Sequence, residues 1–585
     1  MSLSSSIERA CSVFCEGSIL HHVQMAQLFN DSKEFVDRPM KVDPEVISLE
    51  FDRISDKDKL NSTILSAFVD KYFHEVGQDE LTWIPTDIQE SPDFLDNVAD
   101  DYRSWASSLN QLWSVLGVKV QDSVSKNPQR SSFIPRKFPM IVPGGRFRES
   151  YYWDSFFILR GLLVCDMPNT ASSVLNNFLE DLNNFGFIPN GARVYYLDRS
   201  QPPLASEMVL SMLKYYGAES TEGKELLLKA YPLLEKEMNF WMSDENKHVI
   251  NFEQDGVEHT LNIYHSSGKS PRPESYYEDV TAAESLRTEK EIENAAALYP
   301  NSSSAQDLYF NLRTGGESGW DFSTRWIDPV YNATTKKKQY DLNRIETGSV
   351  IPVDLNSILY RMELNLFNMG KMVGSTDYQK YKTAAEKRKR SINAVMWNDE
   401  LQRWMDLDST NMEHIINHID DDNVENVSPQ ASVESYISSF SAPLWAGLLP
   451  DETTISAVVD SLHRSALIQE GGVLTSTVQG AGQQWDSPNA WPPLMLMLIE
   501  GLRTSAISSS SASATALSLS DELASTWLKT NYLAYSNSSF MYEKYNAFEL
   551  GTGGGGGEYI PQVGFGWTNG VALVLLQNSG EKKVD

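Results

Sequence analysis

An all-α fold is predicted from three observations. Apolar residues recur at steps of three and four, as in Leu355, Ile358, Leu359, Met362, Leu366 and Met369, which form one stripe of a helix. Strand-like alternation is short and scarce, confined to 193–197 and 404–407. Strands and helices do not alternate as βαβ units, so a parallel sheet is not expected.

Residues 1–13 are expected as a flexible N-terminal tail. Helices are expected over 205–216 and 223–243, with Pro232 kinking the second because proline removes a backbone donor. Pro352 and Asp354 open the striped helix, and Gly370 and Gly374 punctuate its end. Thr376 with Gln379 has the spacing of a capping box opening a helix towards Trp397. Segments 435–449, 452–464 and 521–535 complete the helical set. The Ser- and Ala-rich run 504–520 is expected as a variable surface loop without chemistry. No internal repeat of fixed short period is evident.

The net charge of -30 argues against nucleic acid and anionic lipid surfaces as partners. The 585-residue chain, 41% hydrophobic and 22% charged, suits a soluble globular protein with ample core. Its three cysteines, Cys11, Cys15 and Cys165, are an odd number and imply no disulfide framework. They match no zinc spacing, and the nine histidines form no HExxH pattern. His21-His22 is expected to be a solvated or packed dipeptide. Neither a metal nor a cofactor is expected, and a monomer is. No stretch approaches the ~20 apolar residues of a membrane span. The start lacks the continuous apolar core of a signal peptide. Sequons at Asn61, Asn301, Asn332, Asn426 and Asn537 leave the compartment open, with Pro429 weakening the fourth. Secretion would need a targeting segment ahead of this start.

Two segments concentrate sugar-binding chemistry. Pro143-Gly144-Gly145-Arg146-Phe147-Arg148-Glu149-Ser150-Tyr151-Tyr152-Trp153-Asp154 joins arginine donors, acidic acceptors and aromatic faces. Gln484-Trp485-Asp486-Ser487-Pro488-Asn489-Ala490-Trp491-Pro492-Pro493 repeats the combination. Together they resemble the two signature motifs of the trehalase family of glycoside hydrolases. The first departs at Phe156, where the family pattern has tyrosine; the second shows no departure. The resemblance runs from about Phe14 to about Gln577. It implies one catalytic domain over 14–577, an (α/α)6 barrel with loops covering one end, and a C-terminal tail over 578–585. Helical periodicity agrees with a barrel but does not select one.

Glycoside hydrolysis needs a carboxylic acid and a carboxylate, ~6.5–9.5 Å apart in inverting enzymes and ~5–5.5 Å apart in retaining ones. Asp321 lies among Trp320, Phe322 and Trp326, where burial raises a carboxyl pKa. Read by itself it serves equally well as a turn cap. Glu543, in Met541-Tyr542-Glu543-Lys544-Tyr545-Asn546, read by itself is an exposed charged pair with Lys544. The family resemblance implies Asp321 as general acid and Glu543 as general base. It also implies substrate contacts at Arg146, Trp153, Asp154, Asn190, Arg199, Gln201, Arg272, Glu274, Gly319 and Glu558. The arginines are expected to pair with Asp154, Glu274 or the catalytic groups. Trp485 fits a stacking wall or the core. The run Gly553–557 lacks the Gly-Lys-Ser/Thr of a phosphate loop and is expected as a mobile lid. The implied activity is that of an inverting α,α-trehalase, with trehalose as small-molecule partner. Another inverting (α/α)6 α-glucosidase, or a sugar-binding protein that has lost its chemistry, are the alternatives.

Overall fold

A computed structural model describes residues 2–288, 298, 300–332, 334, 337–419, 432–449, 454–506, 511–577 and 579. Twelve helices form two concentric rings. In chain order they are α1 (Asp100–Leu112), α2 (Tyr152–Val164), α3 (Pro168–Phe185), α4 (Ala205–Tyr216), α5 (Thr221–Met242) and α6 (Val353–Val373). They continue as α7 (Gln379–Ser391), α8 (Ser441–Ala446), α9 (Thr454–Arg464), α10 (Pro492–Ser505), α11 (Ser511–Ser538) and α12 (Gly566–Leu576). The even-numbered helices pack in the closed order α2–α4–α6–α8–α10–α12–α2. The odd-numbered ones lie outside them: α3 on α2 and α4, α5 on α4 and α6, α7 on α6, α11 on α10 and α12, α9 on α11, and α1 on α12. This is an (α/α)6 barrel.

Side-chain size explains how the ring closes. The α2–α12 contact joins the first and last inner helices through two glycines. A Cβ on Gly161 would lie 2.5 Å from Gly570 Cα, and one on Gly570 would lie 2.2 Å from the Phe157 carbonyl oxygen. Helix α12 buries every residue but Val574, as a helix enclosed on all sides must. Outer helix α9 buries only one face, Ile455, Val458, Val459, Ser461 and Leu462.

Several expectations are corrected. Residues 3–14 form a helix, Leu3–Phe14, with Ala10, Val13 and Phe14 buried in a second core beside Phe35, Phe73, Tyr195 and Tyr196. Cys11 and Cys15 are joined as a disulfide, and Cys165 is free and buried. Residues 511–520 belong to α11, because Ala516, Leu519, Ser520 and Leu523 make an inward stripe that the Ser-rich composition obscures. Residues 507–510 lie outside the described residues. Helix α5 continues past Pro232, with Leu227, Ala230, Tyr231 and Leu234 buried on its inner face, so the proline, expected to kink the helix, does not end it. Tyr378, not Thr376, occupies the N-cap of α7, with no side-chain hydrogen bond there. Residues 194–196 form a 3-10 turn; of the expected strand only Arg193 pairs, in a single antiparallel bridge with Phe133. The 404–407 alternation resolves into two short strands, Arg403–Trp404 and Leu407–Asp408, with different partners. Over 435–449 only Ser441–Ala446 is α-helical, ended by Gly447 at φ 74°.

His21 and His22 sit on the Ser18–Met25 helix, packed against Tyr276 and Phe51. Asn61, Asn301 and Asn537 are exposed and Asn332 is partly so, whereas Asn426 lies outside the described residues. Among the described residues no helix is long and apolar enough to cross a membrane. Of the 578–585 tail only Ser579 is described.

Candidate active site

The chain segments that precede α2, α4, α6, α10 and α12 meet over the N-terminal ends of the inner helices. They enclose a cleft of about 700 Å³, its open mouth included. Gly144 and Gly145, at φ 112° and 61°, start the first wall. A Cβ on Gly145 would collide with Gln562 Oε1, and its absence lets the Arg146 N–H donate to that oxygen at 2.7 Å. Arg146 Nη2 bonds Asp31 Oδ1 at 2.8 Å, and its guanidinium lies 4.6 Å from the Tyr559 ring centre. Trp153 and Asp154 occupy the first turn of α2 rather than a loop, and both are buried.

The α3–α4 connection adds the next wall. Gln201 Oε1 accepts from the Trp153 N–H at 3.1 Å, and Asn190 Nδ2 donates to the Gly316 carbonyl at 2.9 Å. Arg199 pairs with Glu274 and with Asp198. In the α5–α6 connection Arg272 Nη2 pairs with Asp279 at 2.7 Å and Glu558 at 2.8 Å. These pairs neutralise guanidinium groups whose unpaired burial would be costly. Asp154, expected among the arginine partners, is in no ion pair among the described residues; Glu274 is, and Asp31, Asp279 and Glu558 serve the others.

The Ser303–Ser318 helix delivers Asp321. Gly319 ends it in the left-handed region at φ 74°, where a Cβ would stand 3.0 Å from the Trp153 ring. Glycine is required there twice over, for conformation and for space. Burial pushes the Asp321 carboxyl up to about 7, against the pull of Arg272. Glu543 is also raised by burial, but Lys544, the Tyr559 hydroxyl, the Gln562 N–H and Arg146 all favour its ionised form. Tyr559 donates to Glu543 Oε1 at 2.7 Å and Gln562 N–H to Oε2 at 3.3 Å. Burial holds Asp154 well above the usual carboxylate range, and the nearby charges of Glu543 and Asp321 add to this. Burial thus raises all three carboxyls, but only Glu543 also has a lysine, a tyrosine hydroxyl and a backbone N–H favouring its ionised form, a difference that acid–base chemistry uses.

All twelve residues anticipated for the site line this one cleft: Arg146, Trp153, Asp154, Asn190, Arg199, Gln201, Arg272, Glu274, Gly319, Asp321, Glu543 and Glu558. A family profile described as Trehalase matches residues 27–580. A trehalase of Apis mellifera is 38% identical over 97% of this chain and 84% of its own length. That of Homo sapiens is 35% identical over 97% of this chain and 90% of its own. Among solved structures, neutral trehalase Nth1 from Saccharomyces cerevisiae superposes with a TM-score of 0.58 and 25% identity over 75% of this chain and 74% of that one. The chain belongs to the trehalase family.

The one departure from the trehalase motif, Phe156, is buried against Phe157 and Trp445 and does not line the cleft. Trp485 both lines the cleft and belongs to the core, stacked between Trp320 at 5.4 Å and Trp491 at 3.8 Å. In the glycine run, Gly554 N–H bonds the Lys544 carbonyl, and Gly555 N–H bonds Asn489 Oδ1. Sequence reasoning missed Lys33, Tyr196, Phe565 and Trp567 in the lining. It also missed Asp31 and Gln562 behind it. No motif signals these residues, whose importance comes from tertiary pairing alone.

Proposed function

We propose that this trehalase-family chain is an inverting α,α-trehalase that hydrolyses the α,α-1,1 bond of trehalose to two glucose molecules. The observation that carries this reading is the meeting, in one cleft, of two buried carboxyls 222 positions apart, Asp321 and Glu543, the second ringed by the Tyr559 hydroxyl, the Gln562 N–H and Lys544. Asp321, protonated up to about neutral pH, gives its proton to the bridging oxygen as the bond breaks. Glu543, held by Tyr559, Gln562 and Lys544, draws a proton from water attacking the opposite face of the anomeric carbon. The attacked unit leaves as β-glucose and the other as α-glucose.

Arg146, Arg199 and Arg272 bring guanidinium donors to the sugar hydroxyls from positions preset by their carboxylate partners. A protonated Asp154 offers both a donor and an acceptor to one hydroxyl. Trp153 presents an apolar face to the sugar C–H groups, while Asn190, Gln201, Glu274 and Glu558 complete the polar rim. Gly319 keeps the approach to Asp321 open.

The test is glucose release from trehalose and from maltose, with the anomer of the first product read by proton NMR. Trehalose turnover with early β-glucose is expected. Turnover of maltose without trehalose would replace this reading with another inverting α-glucosidase, and no turnover of either would leave a sugar-binding protein.

A further inference from the structure

Segment 484–491 lies between the piece of chain that carries Asp321 and the piece that carries Glu543, and it is bonded to both. On the first side, Gln484 Nε2 donates to the Asp321 carbonyl at 2.6 Å and the Trp485 N–H to the Phe322 carbonyl at 3.0 Å. Asp486 accepts from the Thr324 N–H at 2.8 Å and from the Ser323 and Thr324 hydroxyls, each at 2.9 Å. On the second side, Gln484 Oε1 accepts from Lys544 Nζ at 2.7 Å. Asn489 and Ala490 pair antiparallel with Asn546 and Tyr545. The Gln484 carbonyl is itself held by Asn489 Nδ2 at 2.9 Å and Trp491 Nε1 at 3.1 Å.

We propose that Gln484 is a positioning residue that sets the gap between acid and base by bridging the Asp321 carbonyl to the Lys544 ammonium. This rests on the assignment of Asp321 and Glu543 made above. The chemistry of the bridge requires a primary amide. One end must donate to a carbonyl and the other must accept from an ammonium, and glutamine does both. Ionised glutamate would set an acceptor against the Asp321 carbonyl oxygen; methionine would supply neither bond. The bridge is closely confined, since a Cβ on Gly557 would stand 2.7 Å from Gln484 Oε1. Lys544 also donates to the Gly556 carbonyl at 3.2 Å, so the same ammonium ties the glycine run to the bridge. The inverting gap spans a window of only ~3 Å, and a misplacement of about 1 Å costs about 100-fold in rate.

The experiment begins with the unmodified protein and trehalose. Failure there removes the acid–base assignment and says nothing against the bonds of the bridge. Given turnover, Gln484→Met is expected to lower kcat about 100-fold with KM changed less than about threefold, because substrate contacts remain. Lys544→Met breaks the same bridge from its other end. The double variant should therefore lie within about threefold of the more damaged single one. Gln484→Glu keeps the size and regains the donor only when its carboxyl is protonated. Its kcat relative to the unmodified protein should rise as pH falls from about 7 to about 5, with no such rise for Gln484→Met. An unmodified kcat in Gln484→Met, or losses that multiply in the double variant, overturns the proposal. If Gln484→Met does not fold, a flat pH ratio in Gln484→Glu overturns it instead.

Discussion

The Tyr559 hydroxyl reaches back across the glycine run to donate a hydrogen bond to Glu543 Oε1 at 2.7 Å. The same ring lies under the Arg146 guanidinium at 4.6 Å. One residue thus joins the carboxylate proposed as base to an arginine of the sugar-binding wall, and the glycines between allow the chain to turn back over the site.

Removing that hydroxyl separates the two contacts. Tyr559→Phe keeps the ring beneath Arg146 but takes a donor from the ionised form of Glu543, whose pKa must then rise. The acid limb of the kcat/KM profile for trehalose is expected to move up by about 1–2 pH units, the value of one hydrogen bond to a charged group. An unmoved limb would show that Tyr559 does not act on the base.

Asp321 carries a cost in stability that its chemistry explains. Its pKa is 3.8 in the ordinary state and about 7 when folded. Between those values the folded chain holds a proton that the unfolded chain has released, so stability falls as pH rises across this window. Activity that depends on the protonated acid should fall above about 7 as well. Asp321→Asn removes the titration. It should melt above the unmodified protein near pH 8, and the two should converge by about pH 3, below both values. Scanning calorimetry at both pH values checks this.

The helices of the barrel were not equally legible in the sequence, and the difference does not follow the ring to which each belongs. Helices α4, α5 and α6 retain polar faces, so their periodicity shows. Helices α2 and α12 are buried almost all round, leaving no polar face to set a period, and neither was anticipated. The Ser303–Ser318 helix was missed because it ends in Gly315 and Gly316. A Cβ on Gly315 would lie 2.6 Å from Phe322, and one on Gly316 3.0 Å from Arg199. Packing demanded glycines that local propensity reads as a turn. The site residues were reachable through motif resemblance because each lies in a short distinctive segment. Their partners were not. Nothing near Asp31 in the chain indicates that it meets Arg146, 115 positions on.

That pairing is testable. Asp31 Oδ1 caps the Ser32–Val36 helix through the Lys33 N–H and accepts from Arg146 Nη2 at 2.8 Å. Asp31→Asn keeps an N-capping oxygen but loses the charge that holds the guanidinium. KM for trehalose is expected to rise about 5–20-fold, on the order of 1–2 kcal/mol, with kcat within about threefold. A fall in kcat at constant KM would place Arg146 at the reaction's charge development rather than at substrate binding.

The division of labour between the two carboxyls follows from what each leaving group requires. Asp321→Asn and Glu543→Gln preserve size and polarity, so both variants should fold, and each should lower trehalose hydrolysis by at least about 1,000-fold, the scale of losing a general acid or base. On α-glucosyl fluoride they should part. Fluoride departs with little need of protonation, so Asp321→Asn should retain most of its activity there. Glu543→Gln still lacks a base for water and should remain nearly inactive. The surroundings support this asymmetry: burial raises Asp321 to about 7, while Tyr559, Gln562 and Lys544 gather around Glu543 to favour its charge. The first product from the fluoride should be β-glucose, because water attacks the face opposite the leaving group. Early α-glucose would refute inversion. Normal trehalose turnover in Glu543→Gln would transfer the base to another carboxylate of the same cleft, and Glu558, which pairs with Arg272 at 2.8 Å, would then be the residue to change.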